Sequence, residues 1–383
     1  MQRILNSNIN LGPNMSLYIH IPFCVSKCTY CDFCSFVANP TIIQYYLQAL
    51  HTEIDTRATQ FKDKLITSIY IGGGTPSILP NGELSKIIQH VRSCFNLSIC
   101  DSITVEANPN SFSISLAQEL FSAGVNRISF GLQSHSDRLL ELLNRPHSYL
   151  DFERAVQIAI NSGITDISAD ILLGIPTQTM DDLVQTIQNL VSLPLTHISA
   201  YGLILEPNTP LTIAVQNGQL PEIDEDTANE MYNYTVSTLQ KYGYNRYEIS
   251  NFSLSGFESK HNLNYWERGQ YLGLGLASHS FVNGFHWQNT TKLHTYLSNP
   301  NNSIIDVEKE SISTAKLETI MLSLRTTAGL DIAEYNKKFD TNFMQEYKSI
   351  LDELLIQDLI TIKNDILYIK DYNLSNSIIA MFA

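Results

Sequence analysis

Cys24, Cys28, Cys31 and Cys34 fall within eleven residues, while the other two cysteines, Cys94 and Cys100, stand apart. Thiols gathered on one stretch can share a metal centre, whereas scattered cysteines behave as small buried hydrophobes. Cys94 and Cys100 are therefore read as core residues. The spacing Cys24-x-x-x-Cys28-x-x-Cys31 presents three soft ligands directly after a short apolar strand pattern. Soft thiolates select zinc or an iron–sulfur cluster. Structural zinc sites usually join two Cys-x-x-Cys knuckles distant in sequence, and no second knuckle follows here. Three ligands on one loop can instead hold three irons of a [4Fe–4S] cube and leave the fourth iron open to a small molecule. Zinc closed by Cys34, and buried or redox thiols, remain as alternatives at this point.

An open iron beside a reducible cluster calls for a partner that accepts an electron. S-adenosylmethionine answers that description, because its amino and carboxylate groups can chelate iron while its sulfonium is cleaved. Gly72-Gly73-Gly74-Thr75-Pro76 would let backbone approach such a ligand closely, although a tight strand-to-helix turn explains the triplet equally well. No Lys-Ser/Thr follows, so this is not a P-loop. His20 alternates with Tyr18 along the first strand pattern and reads as a core residue with one hydrogen bond. His261, in HNLNYW (261–266), either caps the loop around Trp266 or binds a metal. Gly273-Leu-Gly275 imitates a dinucleotide fingerprint, but Ser278 occupies the third-glycine position and the segment reads as a turn.

The elements that must position these residues alternate between short strands and longer helices. Strand patterns run over 16–21, 67–72, 102–107, 126–132, 166–174 and 197–204, with helical periodicity starting at Ile42, Glu83, Ser115, Leu150 and Met180 between them. Periodicity alone leaves a doubly wound sheet and an incomplete barrel equally open. The placement of odd residues helps. The cysteines follow strand one, the glycines strand two, Glu106 ends strand three, Gln133 follows strand four, and Asp170 lies in strand five. Chemistry at the C-terminal ends of consecutive strands is what a barrel gathers around one mouth. The expected fold is α/β, a partial six-unit TIM-like βα barrel with a wide lateral opening.

The expected organisation is an N-terminal extension (1–15), the partial barrel (16–242), an appended segment carrying HNLNYW (243–305) and a winged-helix-like domain (306–383). That last segment shows three helical patterns followed by two strand patterns joined at Asn364-Asp365. It carries 8 Lys/Arg against 13 Asp/Glu, which argues for packing or protein contact rather than DNA. The whole chain of 383 residues has a net charge of −14, a poor match to phosphate backbones, so nucleic acid is not expected as a partner. With 44% hydrophobic and 16% charged residues it can bury a large core. No apolar run long enough for a membrane span or signal peptide is visible, and a cytosolic protein is expected.

Taken together, YIHIPFC running into CxxxCxYCDF, then IGGGTPS, VEANP, GLQS, LNRPH and ADILLGIP, resemble the radical S-adenosylmethionine family related to oxygen-independent coproporphyrinogen III dehydrogenase. The likeness extends from Ser16 through the tail. It implies a three-cysteine [4Fe–4S] cluster on Cys24, Cys28 and Cys31. It also implies S-adenosylmethionine near Tyr18, Tyr30, Gly73, Gly74, Thr75, Glu106, Gln133, Arg145 and Asp170. HNLNYW resembles the HNxxYW signature of the heme-chaperone branch, HemW, which makes His261 the candidate heme ligand. Two departures from the dehydrogenase pattern point to the same branch. Phe33 stands where CxxxCxxCxC would require its last cysteine, with Cys34 one residue late, and only seventeen residues precede Tyr18. The resemblance thus implies a protein that binds heme and passes it to an acceptor protein of unknown identity. A coproporphyrinogen III dehydrogenase, making vinyl groups from propionates, and a zinc-stapled protein without redox chemistry are the alternatives.

Overall fold

Apolar residues at every second position build the central sheet. Leu17, Ile19 and Ile21, then Ile69 and Ile71, Ile103 and Val105, Ile128, Phe130 and Leu132, and their counterparts in the next two strands are all buried in one cluster. A period of two turns one face of each strand toward the covering helices and leaves the other face for different residues. In the computed structural model, which describes residues 11–37 and 39–383, these strands are β1 (Asn14–Ile21), β2 (Leu65–Gly73), β3 (Ser102–Ala107), β4 (Arg127–Gln133), β5 (Asp166–Leu173) and β6 (His197–Gly202). They lie side by side in sequence order and all run parallel. A doubly wound sheet must reverse its order at a switch point, and here the order never reverses. Right-handed crossovers then place every helix on the same face, which is the winding of a barrel.

The barrel does not close. The remaining strands are β7 (Asn245–Arg246), β8 (Asn251–Ser253), β9 (Tyr271–Leu274), β10 (His279–Val282), β11 (Phe285–Asn289) and β12 (Ile304–Lys309). Antiparallel β8 and β7 continue the sheet beyond β6, while β9 pairs parallel with β1 and is followed outward by antiparallel β10, β11 and β12. Three expectations change accordingly. The segment 243–305 is an integral part of a twelve-stranded open sheet rather than an attachment to a six-stranded one. Gly273 lies in β9, not in a turn, because its register opposite Tyr18 places it beside a buried strand. Strand β1 begins at Asn14 with Met15 fully buried, so the sheet starts before the expected boundary at residue 16. Most of the expected extension 1–15 lies outside the described residues.

One buried carboxylate ties the added strands to the barrel. Glu53, in the helix Pro40–Gln60, accepts hydrogen bonds from Asn289 Nδ2 (2.7 Å), the Gly275 amide (2.8 Å) and the Tyr296 hydroxyl (2.9 Å), with the Arg57 guanidinium at 3.5 Å. Gly275 has φ +95°, and a Cβ there would collide with the Tyr46 hydroxyl and the His20 carbonyl. Glycine is required at that position.

The C-terminal segment has its own core, with Leu324, Leu330, Phe343, Leu354 and Leu367 at its centre. Helices Ile312–Ser323, Ile332–Phe339 and Lys348–Ile356 lead into the hairpin Ile360–Lys363 and Ile366–Ile369. The two-residue turn at Asn364 (φ +53°) and Asp365 (φ +61°) matches the twist of the strands it joins. A short strand, Leu330–Asp331, completes a three-stranded sheet of winged-helix form.

Removing one partner of a buried ion pair strands the other, at a cost of about 3–5 kcal/mol. Glu53→Ala should therefore lower unfolding stability by about 3 kcal/mol, read as a lower urea midpoint. An unchanged midpoint would show that Arg57 and the strand connections do not rely on this carboxylate.

Candidate functional site

The cysteine loop has no regular structure, so hydrogen bonds from its surroundings shape it. Its base is closed where the Cys24 amide donates to the Phe36 carbonyl and the Phe36 amide to Pro22. The glycine triplet holds the same base from the other side, since the Gly74 amide donates to Ile21 O (2.8 Å) and the Thr75 amide to Phe23 O (2.7 Å). A Cβ on Gly74 would strike those backbone atoms, and one on Gly72 would strike the Glu106 carboxyl. Close backbone approach, rather than a turn alone, thus accounts for the glycines. Farther out, the Thr29 amide donates to Leu143 O, the Leu211 amide to Thr29 O and Asn144 Nδ2 to Lys27 O. The LNRPH segment is a strap over this loop.

Loop and strand ends enclose a cavity of about 360 Å³. Cys24, Cys28 and Cys31 line it together with Tyr30, Gly73, Gly74, Thr75, Glu106, Gln133, Arg145 and Asp170. The structure therefore brings nearly all of the sequence-derived site residues to one place. Cys34 is not among them, because its thiol faces the Thr291 carbonyl at 3.9 Å and packs against the core. Polar donors address the lining thiols. The Thr75 hydroxyl reaches Cys24 Sγ (3.6 Å), and Arg145 Nη1 reaches Cys28 Sγ (3.4 Å) while its other nitrogen donates to Asn108 and the Gly131 carbonyl. A Cβ at Gly131 would occupy the space of the Arg145 guanidinium.

These residues fit an iron–sulfur cluster better than a single ion. A zinc ion bound at about 2.3 Å gathers its thiolates to within about 3.8 Å of each other. Among the described residues, two sets of three ligand atoms lie within 4.8 Å of one another, and neither draws on the loop. Three thiols spread along one cavity wall, each free of a disulfide and met by polar donors, suit a group with several irons.

The cavity floor holds residues that the sequence analysis passed over. Arg127, Ser129, Ser168, His197, Ser199 and Tyr201 line it, as does Tyr70. All sit on the strand face opposite the apolar core, at alternate positions of β2, β4, β5 and β6. Polar side chains recurring every second residue in otherwise apolar strands were the signal that could have found them. Glu106 accepts from Tyr70 Oη (2.8 Å) and the Gly73 amide (3.0 Å). Burial pushes its carboxyl up to about 7, with nearby Asp170 adding to the shift. Asp170 is raised as well, again by burial, despite hydrogen bonds from Ser199 and Ser129. Ser168, His197 and Tyr247 form a buried chain with 2.8 Å links.

Two expected ligands stand apart from the cavity. Tyr18 does not line it, stacking instead behind Tyr70 with ring centroids 6.2 Å apart and meeting His20 Nδ1 at 3.0 Å. His20 is the buried residue expected, with a second hydrogen bond from Nε2 to Cys34 O. His261 also stands apart from the cavity lining. It lies in the helix Lys260–Trp266, is 1% exposed, and meets Ser68 Oγ at 2.9 Å through Nδ1 and Tyr265 Oη at 3.1 Å through Nε2. Burial lowers its pKa to about 3. With both nitrogens engaged and its ring stacked on Tyr70 at 5.1 Å, it supports the cavity wall and offers no atom to a heme iron in this arrangement. Asn262 and Ser259 are the residues of that region which reach the cavity.

If three thiolates suffice, Cys24→Ala, Cys28→Ala or Cys31→Ala should each abolish the broad visible absorption of anaerobically reconstituted protein. Cys34→Ala should keep most of it. Equal bleaching in all four variants would return the closed four-thiolate arrangement.

Comparison with known proteins agrees with this geometry. Residues 18–190 match the model of the Radical SAM superfamily, and 314–371 match the HemN C-terminal domain. The chain is 33% identical over 373 residues to "Heme chaperone HemW" of Lactococcus lactis, covering 97% of each chain. It is 35% identical over 353 residues to the protein of the same name in Bacillus subtilis, covering 90% of this chain and 92% of that one. Among solved structures, coproporphyrinogen III oxidase (HemN) of Escherichia coli superimposes with a TM-score of 0.88 at 22% identity, covering 100% of this chain and 93% of that one, a likeness of fold. The chain belongs to the radical SAM superfamily, in the HemW branch of the family related to coproporphyrinogen III oxidase.

Proposed function

We propose that this protein binds heme and hands it to an acceptor protein, with a [4Fe–4S] cluster on Cys24, Cys28 and Cys31 and S-adenosylmethionine bound beside it. The observation that carries this reading is the near full-length likeness to relatives named heme chaperones. Phe33 supports it, since a 63% exposed phenylalanine stands where the dehydrogenase pattern has a cysteine. When bound, the cluster supplies an electron to the sulfonium ligand. The chain's own residues hold that ligand: Glu106 and Asp170 offer carboxylate oxygens to the N–H groups of its amino end, and Tyr30 offers an aromatic wall packed on Leu143 and Leu211. Arg145 fixes the Cys28 side of the loop. A cavity of about 360 Å³ lies within the range of small-molecule sites.

The decisive experiment adds heme or coproporphyrinogen III to the anaerobically reconstituted protein. Stoichiometric heme binding without conversion of the porphyrinogen is the expected result. Multiple turnovers to the divinyl product would place the protein with the dehydrogenases instead.

The Glu106 shift adds a pH dependence. A carboxyl raised to about 7 is protonated below that pH and must lose its proton before it can accept a charge-assisted hydrogen bond from the amino group. Affinity for S-adenosylmethionine should therefore fall several-fold, at most about tenfold per pH unit, as pH drops below about 7. Equilibrium dialysis at pH 6 and 7.5 measures this, and Glu106→Gln should bind more weakly with a flatter profile. A wild-type profile as flat as that of the variant would remove Glu106 from binding the amino group.

A further inference from the structure

On the outer face of the barrel, two neighbouring helices turn four ligand-type side chains toward one another. His51 and Asp55 are four residues apart on Pro40–Gln60, and His90 and Cys94 are four apart on Glu83–Cys94. Residues at i and i+4 share a helix face, so two such pairs on packed helices converge. His90 Nε2 lies 2.7 Å from Asp55 Oδ1, and the Cys94 thiol donates to the same oxygen at 3.6 Å. The ligand atoms of Asp55, His90 and Cys94 all lie within 4.8 Å of one another. His51 approaches from the other side, with its Nδ1 2.6 Å from His90 Nδ1. None of the four lines the cavity of the cysteine loop.

We propose that Asp55, His90 and Cys94 form a second metal site, for a divalent zinc-like cation, with His51 orienting His90. One carboxylate, one imidazole and one thiolate are a mixed set that favours a borderline-soft ion in tetrahedral geometry. Three protein ligands at a half-buried position leave the fourth place to water. Tetrahedral bonds of about 2.0–2.3 Å separate ligand atoms by about 3.3–3.8 Å. The present spacing comes close to this, and the Asp55–His90 pair needs only a small opening, which exposed side chains allow.

An ordinary ion pair would account for Asp55 and His90 but not for the other two residues. The imidazole pair has a specific use at a metal site. Without metal, His90 gives its Nε2 proton to Asp55 and accepts from His51 through Nδ1. With metal, the bridging proton shifts to His90 Nδ1, the His90 Nε2 proton leaves to solvent and His51 takes one up on Nε2, so that His90 donates to His51 and frees Nε2 for the ion. At a 2.6 Å separation either direction of the bond is satisfied, so His51 supports both tautomers. Binding the cation to Cys94 also releases the thiol proton that now goes to Asp55, and that proton passes to solvent.

The test uses the full-length, cluster-loaded protein, so that the cysteine loop is already occupied. After anaerobic dialysis against buffered free Zn²⁺, metal analysis should find one zinc in addition to unchanged iron and sulfide, together with a raised Tm. Cys94→Ser and His90→Ala should lose that zinc and the Tm increase while keeping iron and sulfide. Asp55→Asn and His51→Ala should weaken binding by at least about tenfold. Circular dichroism checks that each variant is folded, and the four substitutions at a helix surface provide independent chances to see the effect. Absence of the extra zinc in the wild type, zinc gained only as iron is lost, or zinc retained by Cys94→Ser and His90→Ala would each overturn the site.

Discussion

A loop that must hold three thiols along one wall, without helix or strand of its own, has to be shaped by its surroundings. Much of the site follows from that constraint. The base of the loop is fixed by backbone hydrogen bonds to Ile21, Pro22, Phe23 and Phe36, which require the glycine triplet to pass within contact distance. Its outer part is fixed by Leu143, Asn144 and Leu211, which require the LNRPH segment to fold back over the strand ends. Arg145 then serves both purposes, since it bonds to Cys28 and to the Gly131 carbonyl of β4. Motifs far apart in sequence are parts of one clamp.

The parts of this arrangement that were legible in the sequence are those governed by local rules. Period-two apolar runs located β1 to β6, and the Asn364-Asp365 turn located the C-terminal hairpin, because both signals are confined to a few residues. The cysteine loop was legible because of its spacing, and Cys34, which falls one residue late, turns its thiol to the Thr291 carbonyl. Strands β9 to β12 were not legible. Their pairing with β1 is set by long-range contacts around Glu53, and Gly273 and Gly275 look like turn residues until the neighbouring backbone is in place. Cys94 packs against the core as its isolation suggests, but its neighbours Asp55 and His90 were not legible, since they converge on it only when two helices pack.

His261 shows how much of a recognised motif's setting is supplied by the folded chain. HNLNYW offers a histidine next to two aromatics, which reads as a ligand beside an apolar surface. In the folded chain the imidazole is held between Ser68, Tyr265 and the ring of Tyr70. Tyr70 in turn donates to Glu106, and Glu106 accepts from Gly73. The histidine therefore sits three contacts behind the glycine that lines the cavity. A neutral ring suits that position, because a charged one would be buried without a counter-ion.

The same chain of contacts bears on how a scaffold shared with an oxidase can serve a different end. The face that meets the cofactor is built from strand-end residues whose geometry follows from the sheet, so it persists wherever the sheet and the cysteine loop are kept. What can change freely lies at the rim, where Val25, Phe33 and Val37 are more than half exposed around the cysteine loop. Residues there make few contacts with the core, so their identity alters what approaches the cavity without disturbing the clamp beneath. Phe33 is such a residue, since it replaces a thiol with an apolar surface at the mouth while Lys27 still bonds to its carbonyl. A shared floor therefore follows from a shared fold, and the floor alone cannot tell a radical enzyme from a carrier.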